Sequence, residues 1–131
     1  MPFDNTSARA EVAVPEEVSI LDRMARLLAR PEDWCQGELI RTSETGNVSR
    51  CLYGALFQVD HGSSRPIGYR GYGSQIFQNE AAQRVSEILT SLVPMTGNPF
   101  PICDFNNADT TTHADILALL ARAKAKALET V

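Results

Sequence analysis

Four stretches of this sequence repeat apolar residues every three or four positions, and this spacing constrains the fold more than any other feature. Such spacing places the apolar side chains on one face of an α-helix. The four stretches carry Leu21, Met24, Ala25 and Leu28; Leu52, Ala55, Leu56 and Val59; Val85, Ile88, Leu89 and Leu92; and Ile116, Leu120, Ala123 and Ala127. Amphipathic helices bury their stripes against one another. We therefore predict a mainly α fold, a compact bundle of about four helices.

The region between the first two stripes has a different pattern. Leu39, Ile40 and Thr42 suit a strand, and Gly46-Asn47 is a turn signal. A short β-hairpin near residues 36–47 fits this pattern. The alternative is an α+β domain in which residues 36–43 form part of a small sheet.

Local signals predict where the helices begin and end. Pro15, followed by two glutamates, predicts the start of the first helix. Ser49 is the predicted cap of the second helix. The third helix is predicted over residues 78–93, and the residues 99–101 (Pro-Phe-Pro) are predicted to be extended.

Two further residue patterns concern the second and fourth helices. Thr112 and Asp115 have the spacing of a capping box, which predicts the start of the fourth helix. Gly54 lies inside the second helix, where glycine costs about 1 kcal/mol relative to alanine. We expect that another backbone approaches Gly54 closely and compensates this cost.

The length of 131 residues fits one domain. Residues 1–14 lack a periodic pattern, and we predict that they form a flexible N-terminal arm. Residues 15–131 are then a single helical domain.

Charge and cysteine content restrict the environment and the partners. The net charge of −4 opposes phosphate binding, so we do not expect a nucleic-acid partner. No apolar run reaches the length of a membrane span, and the first residues do not resemble a secretory signal. Three cysteines form an odd set without a close pair, which favours free thiols in a reducing compartment. We predict a cytoplasmic protein, with homo-oligomerisation left open.

Four ordered pieces of the chain suggest a family. They lie at residues 34–37 (Trp-Cys-Gln-Gly), 51–56 (Cys-Leu-Tyr-Gly-Ala-Leu), 104–107 (Asp-Phe-Asn-Asn) and 112–120 (Thr-His-Ala-Asp-Ile-Leu-Ala-Leu-Leu). Over about residues 18–125 the chain resembles an uncharacterised family of small bacterial and phage domains. Its members show Trp-x-Gln-Gly, Cys-x-x-Gly-Ala-Leu, Trp-Asn-Asp and Thr-x-x-Glu/Asp-Val elements.

The chain departs from this family pattern at two positions. Phe105 stands where tryptophan is usual, and Asn107 stands where an acid is usual. Residues 61–74 look like an insertion. The resemblance implies a compact helical domain, and it transfers no catalytic residue because the family has no established activity.

One set of residues has the composition of a cysteine-dependent active site. A cysteine at a helix start, such as Cys51, can have a lowered thiol pKa. His113 could then act as the base, and Asn106 or Asp104 could orient it, as in a Cys-His-Asn hydrolase. The competing interpretation treats Cys51 as a small buried apolar residue and His113 as a polar residue of a helical first turn.

Metal binding is not predicted. Cys35, Cys51, Cys103 and His113 could supply four zinc ligands, but their spacing is wide and lacks a Cys-x-x-Cys pair. The cluster of Asp104, Asn106, Asn107 and Asp109 lacks the later glycine and glutamate of a calcium loop. We interpret that cluster as local Asx-turns. We expect neither a metal nor a cofactor.

Residues 61–74 are the most irregular part of the chain. Four glycines and one proline among these 14 residues favour a loop, and loops of this length are commonly functional or mobile. Tyr69, Arg70 and Tyr72 are of residue types that anchor interfaces. The preferred hypothesis is a non-catalytic interaction or regulatory module that presents this loop to a protein. The alternative is a small cysteine-dependent enzyme that uses Cys51 and His113. A third and weaker hypothesis is a nucleic-acid binder that uses the same loop.

Overall fold

The computed structural model describes residues 14–62 and 77–129. Within these residues the chain forms five α-helices and one two-stranded antiparallel sheet, so it is mainly helical. The elements are α1 (Glu16–Leu27), a 3₁₀ turn (Pro31–Asp33), β1 (Ile40–Thr42), β2 (Val48–Arg50), α2 (Leu52–His61), α3 (Glu80–Leu92), α4 (Pro101–Asn107) and α5 (His113–Glu129).

The predicted apolar stripes meet in a single core. Helix α1 packs against α2, α3 and α5, and α3 also packs against α5. The core contains buried members of every predicted stripe, including Met24, Leu56, Leu89 and Ile116. The prediction that these stripes collapse together is therefore confirmed.

The hairpin predicted near residues 36–47 is present. Strands β1 and β2 pair antiparallel, with Arg41 opposite Ser49. The turn between them is closed by the Ser43 N–H, which donates to the Asn47 carbonyl at 2.8 Å. Gly46 has a φ of 89°, a left-handed conformation that glycine adopts without steric cost. Trp34 makes an isolated parallel bridge with Arg50, so the polypeptide before the hairpin also lies beside β2.

The predicted cap of the second helix is wrong. Ser49 belongs to β2, where its backbone pairs with Arg41, and α2 starts three residues later. The cap is Cys51, whose sulfur accepts a hydrogen bond from the Gly54 N–H at 3.4 Å. The expected close approach at Gly54 is confirmed. A Cβ atom there would overlap the Leu39 carbonyl oxygen and lie 2.9 Å from its carbonyl carbon.

The region before α5 contains a short helix that the sequence patterns did not predict. Pro101 was expected to be extended, but it is the first residue of α4. Proline is tolerated there because the first helical N–H needs no partner. Asp104, Asn106 and Asn107 lie inside α4, so their interpretation as Asx-turn residues is wrong.

The predicted start of the last helix is confirmed. The Thr112 N–H donates to the Asp115 carboxylate at 2.9 Å, and the Asp115 N–H donates to the Thr112 hydroxyl at 3.2 Å. These reciprocal bonds form a capping box. In the part of the chain that the structure describes, no helix is long and apolar enough to cross a membrane. The predicted arm, apart from residue 14, lies outside the described residues.

Candidate functional site

Three of the four motif pieces meet at the side chain of Asn106, which is only 1% exposed. This residue lies near the end of α4. Trp34 and Cys35 reach it from the segment before β1, and Leu52 reaches it from the first turn of α2. We call Trp34, Cys35, Leu52, Asn106 and Asn107 the Asn106 hub.

The amide of Asn106 uses all of its hydrogen-bonding capacity within the hub. Its Oδ1 accepts from Trp34 Nε1 at 2.8 Å and from the Leu52 N–H at 3.1 Å. Its Nδ2 donates to the Cys35 carbonyl at 3.1 Å and to Asn107 Oδ1 at 2.9 Å. An asparagine side chain has two donor hydrogens and two acceptor lone pairs. Asn106 therefore has no remaining hydrogen-bonding capacity with which to orient a histidine.

Two neighbouring polar side chains fasten α4 to the segment before β1. Gln36 Nε2 donates to the carbonyls of Asn106 and Ala108, both at 3.0 Å, and so satisfies carbonyl groups at the C-terminus of α4. Asn107 Oδ1 accepts from the Gly37 N–H at 2.8 Å. A carboxylate could accept this bond equally well, so Asn107 performs the acceptor function that an acid would have at this position.

The environment of Cys51 disfavours the thiolate. The side chain is 5% exposed. Burial raises the pKa of the Cys51 thiol to about 11, although the hydrogen bond from the Gly54 N–H acts in the opposite direction. The predicted lowering of this pKa by the helix start is wrong, because the loss of solvation outweighs the N–H donors.

His113 is the first residue of α5, and its described contacts are with the end of α1 and with Trp34. Its Nε2 is 2.7 Å from the Leu28 carbonyl at the end of α1. Because a carbonyl only accepts, Nε2 must carry the proton and donate it. The imidazole ring also lies 6.3 Å from the Trp34 ring, centroid to centroid. The described hydrogen bonds therefore join Asn106 to the start of α2 and join His113 to α1.

These observations predict how Cys51 reacts with iodoacetamide. With a pKa of about 11, about one thiol in ten thousand is ionised at pH 7. The alkylation rate of the folded chain should rise about tenfold per pH unit between pH 7 and pH 10, because the thiolate is the nucleophile. Peptide mass spectrometry of the time course separates Cys51 from the other cysteines. The control is the chain unfolded in guanidinium, and a folded chain that reacts as fast as the unfolded one at pH 7 would contradict the raised pKa of Cys51.

The other two cysteines do not assemble a metal site with Cys51. Burial raises the pKa of the Cys35 thiol, and it raises that of the Cys103 thiol to about 12. Over the described ranges, no group of three or more His, Cys, Asp or Glu side chains is arranged to hold a metal ion. All three cysteines are free thiols.

A comparison against protein families finds a match over most of the chain. The family described as "Family of unknown function (DUF6197)" matches residues 13–126. The chain belongs to this family. The match confirms the resemblance to an uncharacterised domain family, and DUF6197 brings no activity with it. No curated protein and no solved structure matches the chain.

A second feature of this DUF6197 chain is an aromatic cluster between α2 and the residues that precede α3 and α4. We define the aromatic cluster as Tyr53, Phe57, Phe77 and Phe100. The Phe57 and Phe77 rings stack at 4.7 Å, and the Tyr53 ring stacks on Phe57 at 5.6 Å. Phe100 meets Tyr53 edge to face at 6.1 Å.

A buried carboxylate also joins α2 to the residues that precede α3. Asp60, in the last turn of α2, accepts the backbone N–H groups of Gln78 at 2.7 Å and Asn79 at 3.1 Å. Its side chain is fully buried. Asp60 and the Phe57–Phe77 stack therefore join α2 to the residues that precede α3. The candidate binding residues Tyr69, Arg70 and Tyr72 lie outside the described residues.

Proposed function

We propose that this chain is a non-catalytic interaction or regulatory module that contacts a protein partner through residues 61–74. The observation that carries the proposal is the set of contacts between the described residues on either side of that segment. Asp60 binds the backbone of Gln78 and Asn79, and Phe57 stacks on Phe77. These contacts join α2 to the residues that precede α3.

The chemistry of the segment suits protein recognition. Tyrosine and arginine are enriched among the residues that dominate binding energy at protein interfaces. Tyr69, Arg70 and Tyr72 stand within four consecutive positions. Loops attached to a rigid scaffold commonly carry the binding function of a domain.

The contacts of the Asn106 hub favour this function over the cysteine-dependent enzyme. The Asn106 amide makes four hydrogen bonds within the hub, and His113 donates a hydrogen bond to the Leu28 carbonyl at the end of α1. A thiol pKa of about 11 leaves Cys51 protonated at neutral pH. We propose a cytoplasmic location because three free thiols suit a reducing compartment.

Photo-crosslinking in living cells provides the first test. A benzophenone amino acid replaces Tyr69 in the full chain, and a matched chain carries it at the exposed α5 residue Ala125. We expect a crosslinked protein of defined mass from position 69 and none from position 125. Equal crosslinking patterns at both positions would contradict the proposal.

A binding measurement with the purified crosslinked protein provides the second test. Interface hot-spot residues cost about 2 kcal/mol or more each when truncated, so Tyr69→Ala/Arg70→Ala should weaken binding by at least about 30-fold. The matched control is Arg23→Ala/Arg26→Ala, which removes two exposed side chains of α1. Unchanged affinity of the Tyr69→Ala/Arg70→Ala chain would remove residues 61–74 from the proposed interface.

A further inference from the structure

The segment between α3 and α4 exposes large apolar side chains in a region with little charge. Met95 is 84% exposed and Phe100 is 57% exposed. Between residues 93 and 104 the only charged side chain is that of Asp104. Methionine and aromatic residues are enriched at the centre of protein interfaces, where charged residues are depleted. This exposed segment therefore has the composition that is typical of the centre of a protein interface.

Short-range contacts give this segment a defined shape. Asp104 Oδ2 accepts from the Thr96 hydroxyl at 2.6 Å and from Asn98 Nδ2 at 2.9 Å. The Asn98 N–H also donates to the Thr96 hydroxyl at 3.3 Å. The edge-to-face contact with Tyr53 holds the ring of Phe100 at one end. A segment that is already ordered loses less conformational entropy when it binds.

Asp104 adds one negative charge to this segment through its bonds with Thr96 and Asn98. Hydrogen bonds from Thr96 and Asn98 lower the pKa of the Asp104 carboxyl, so it is ionised at neutral pH. Both bonds go to Oδ2, and among the described residues no donor lies on Oδ1. A carboxylate oxygen with free lone pairs next to an apolar surface is complementary to a cation at the rim of an apolar pocket.

We propose that Met95 and Phe100 insert into an apolar pocket of a protein partner whose rim carries an arginine or lysine that pairs with Asp104. This inference rests on the proposed function for the protein nature of the partner. The surface concerned is separate from residues 61–74, since it consists of residues 94–100 together with Asp104. We call this surface the 94–100 epitope. Phe100 belongs both to this epitope and to the aromatic cluster, so one partner can contact the epitope and the cluster together.

The experiment compares three positions of the benzophenone amino acid in the full chain: Met95, Tyr69 and the control Ala125. The expected result is one identified protein crosslinked from positions 95 and 69 and none from position 125. Crosslinking from position 69 alone would overturn the 94–100 epitope and leave the proposed function standing. Crosslinking from position 95 alone would support the epitope and contradict the proposed function. Crosslinking from neither position 95 nor position 69 would overturn both proposals. A second copy of this chain as the only product at position 95 would also overturn the epitope.

Affinity measurements with the purified partner then test the chemistry. Met95→Ser should weaken binding about tenfold or more, and its high exposure leaves the fold intact. Phe100→Ser should do the same. Asp104→Asn should reduce the dependence of affinity on salt concentration, because it removes the paired charge. An affinity that Met95→Ser leaves unchanged, or a salt dependence that Asp104→Asn leaves unchanged, would contradict the proposed pocket.

Discussion

Asn106→Ala is expected to lower the free energy of unfolding by about 3–5 kcal/mol, because a buried polar group without a partner costs about 1–3 kcal/mol. The substitution leaves Trp34 Nε1, the Leu52 N–H and the Cys35 carbonyl without the amide that now binds them. Water can relieve only part of this loss, since the site is almost completely buried. Urea unfolding followed by circular dichroism measures the change.

A matched asparagine substitution provides the control for this measurement. Asn98 is exposed, and its side chain makes one hydrogen bond, to Asp104. Asn98→Ala should therefore cost less than about 1 kcal/mol. If Asn106→Ala and Asn98→Ala had the same small effect, the Asn106 hub would not be a major source of stability.

Gly54→Ala is expected to destabilise the chain by about 2–4 kcal/mol, although alanine is the better helix former by about 1 kcal/mol. The added Cβ would overlap the carbonyl oxygen of Leu39, which is a backbone atom that cannot rotate away. That oxygen also accepts the Cys51 N–H at 3.1 Å, so moving it weakens the junction between the hairpin and α2. Thermal and urea unfolding measure the loss.

Ala125→Gly measures the propensity difference alone, because Ala125 lies exposed on α5. It should cost about 1 kcal/mol. The two substitutions are opposite in chemistry, yet both should destabilise. A Gly54→Ala chain that is more stable than the natural sequence would show that the Leu39 carbonyl oxygen does not lie in contact with Gly54.

The helices and their burial follow from the sequence because they are set by local spacing. The stripe with Leu52 and Leu56 marks a buried face wherever the helix lies. The glycine inside that stripe also indicated a close backbone approach, and Leu39 supplies it. The Thr112 capping box could be predicted because both partners lie within one helical turn.

The candidate site depends on contacts that local patterns do not contain. Asn106 and Trp34 are 72 positions apart, and neither position indicates the hydrogen bond between them. Helix α4 has seven residues, too few to show a helical period, and Pro101 favours an extended interpretation as much as a helix start. The family resemblance brought these residues together as a motif without assigning their roles.

Two further features escaped prediction for electrostatic and topological reasons. The pKa of Cys51 depends on how completely α2 is covered, and the helix start alone indicated the opposite direction. Asp60 is an acid near the end of a largely apolar helix, and its N–H donors come from 18 and 19 positions further along the chain. The acid Asp60 within an apolar helix is the only sequence signal of the contact between α2 and the residues before α3.

The most direct test of the account measures the stability of a chain in which Gly-Ser-Gly-Ser replaces residues 63–76. The free energy of unfolding should equal that of the full chain or exceed it by up to about 1 kcal/mol, because a shorter loop loses less entropy on closure. Binding of the identified partner should fall at the same time. A loss of several kcal/mol, or a chain that no longer unfolds cooperatively, would contradict the claim that Asp60 and the Phe57–Phe77 stack suffice to join α2 to the residues before α3.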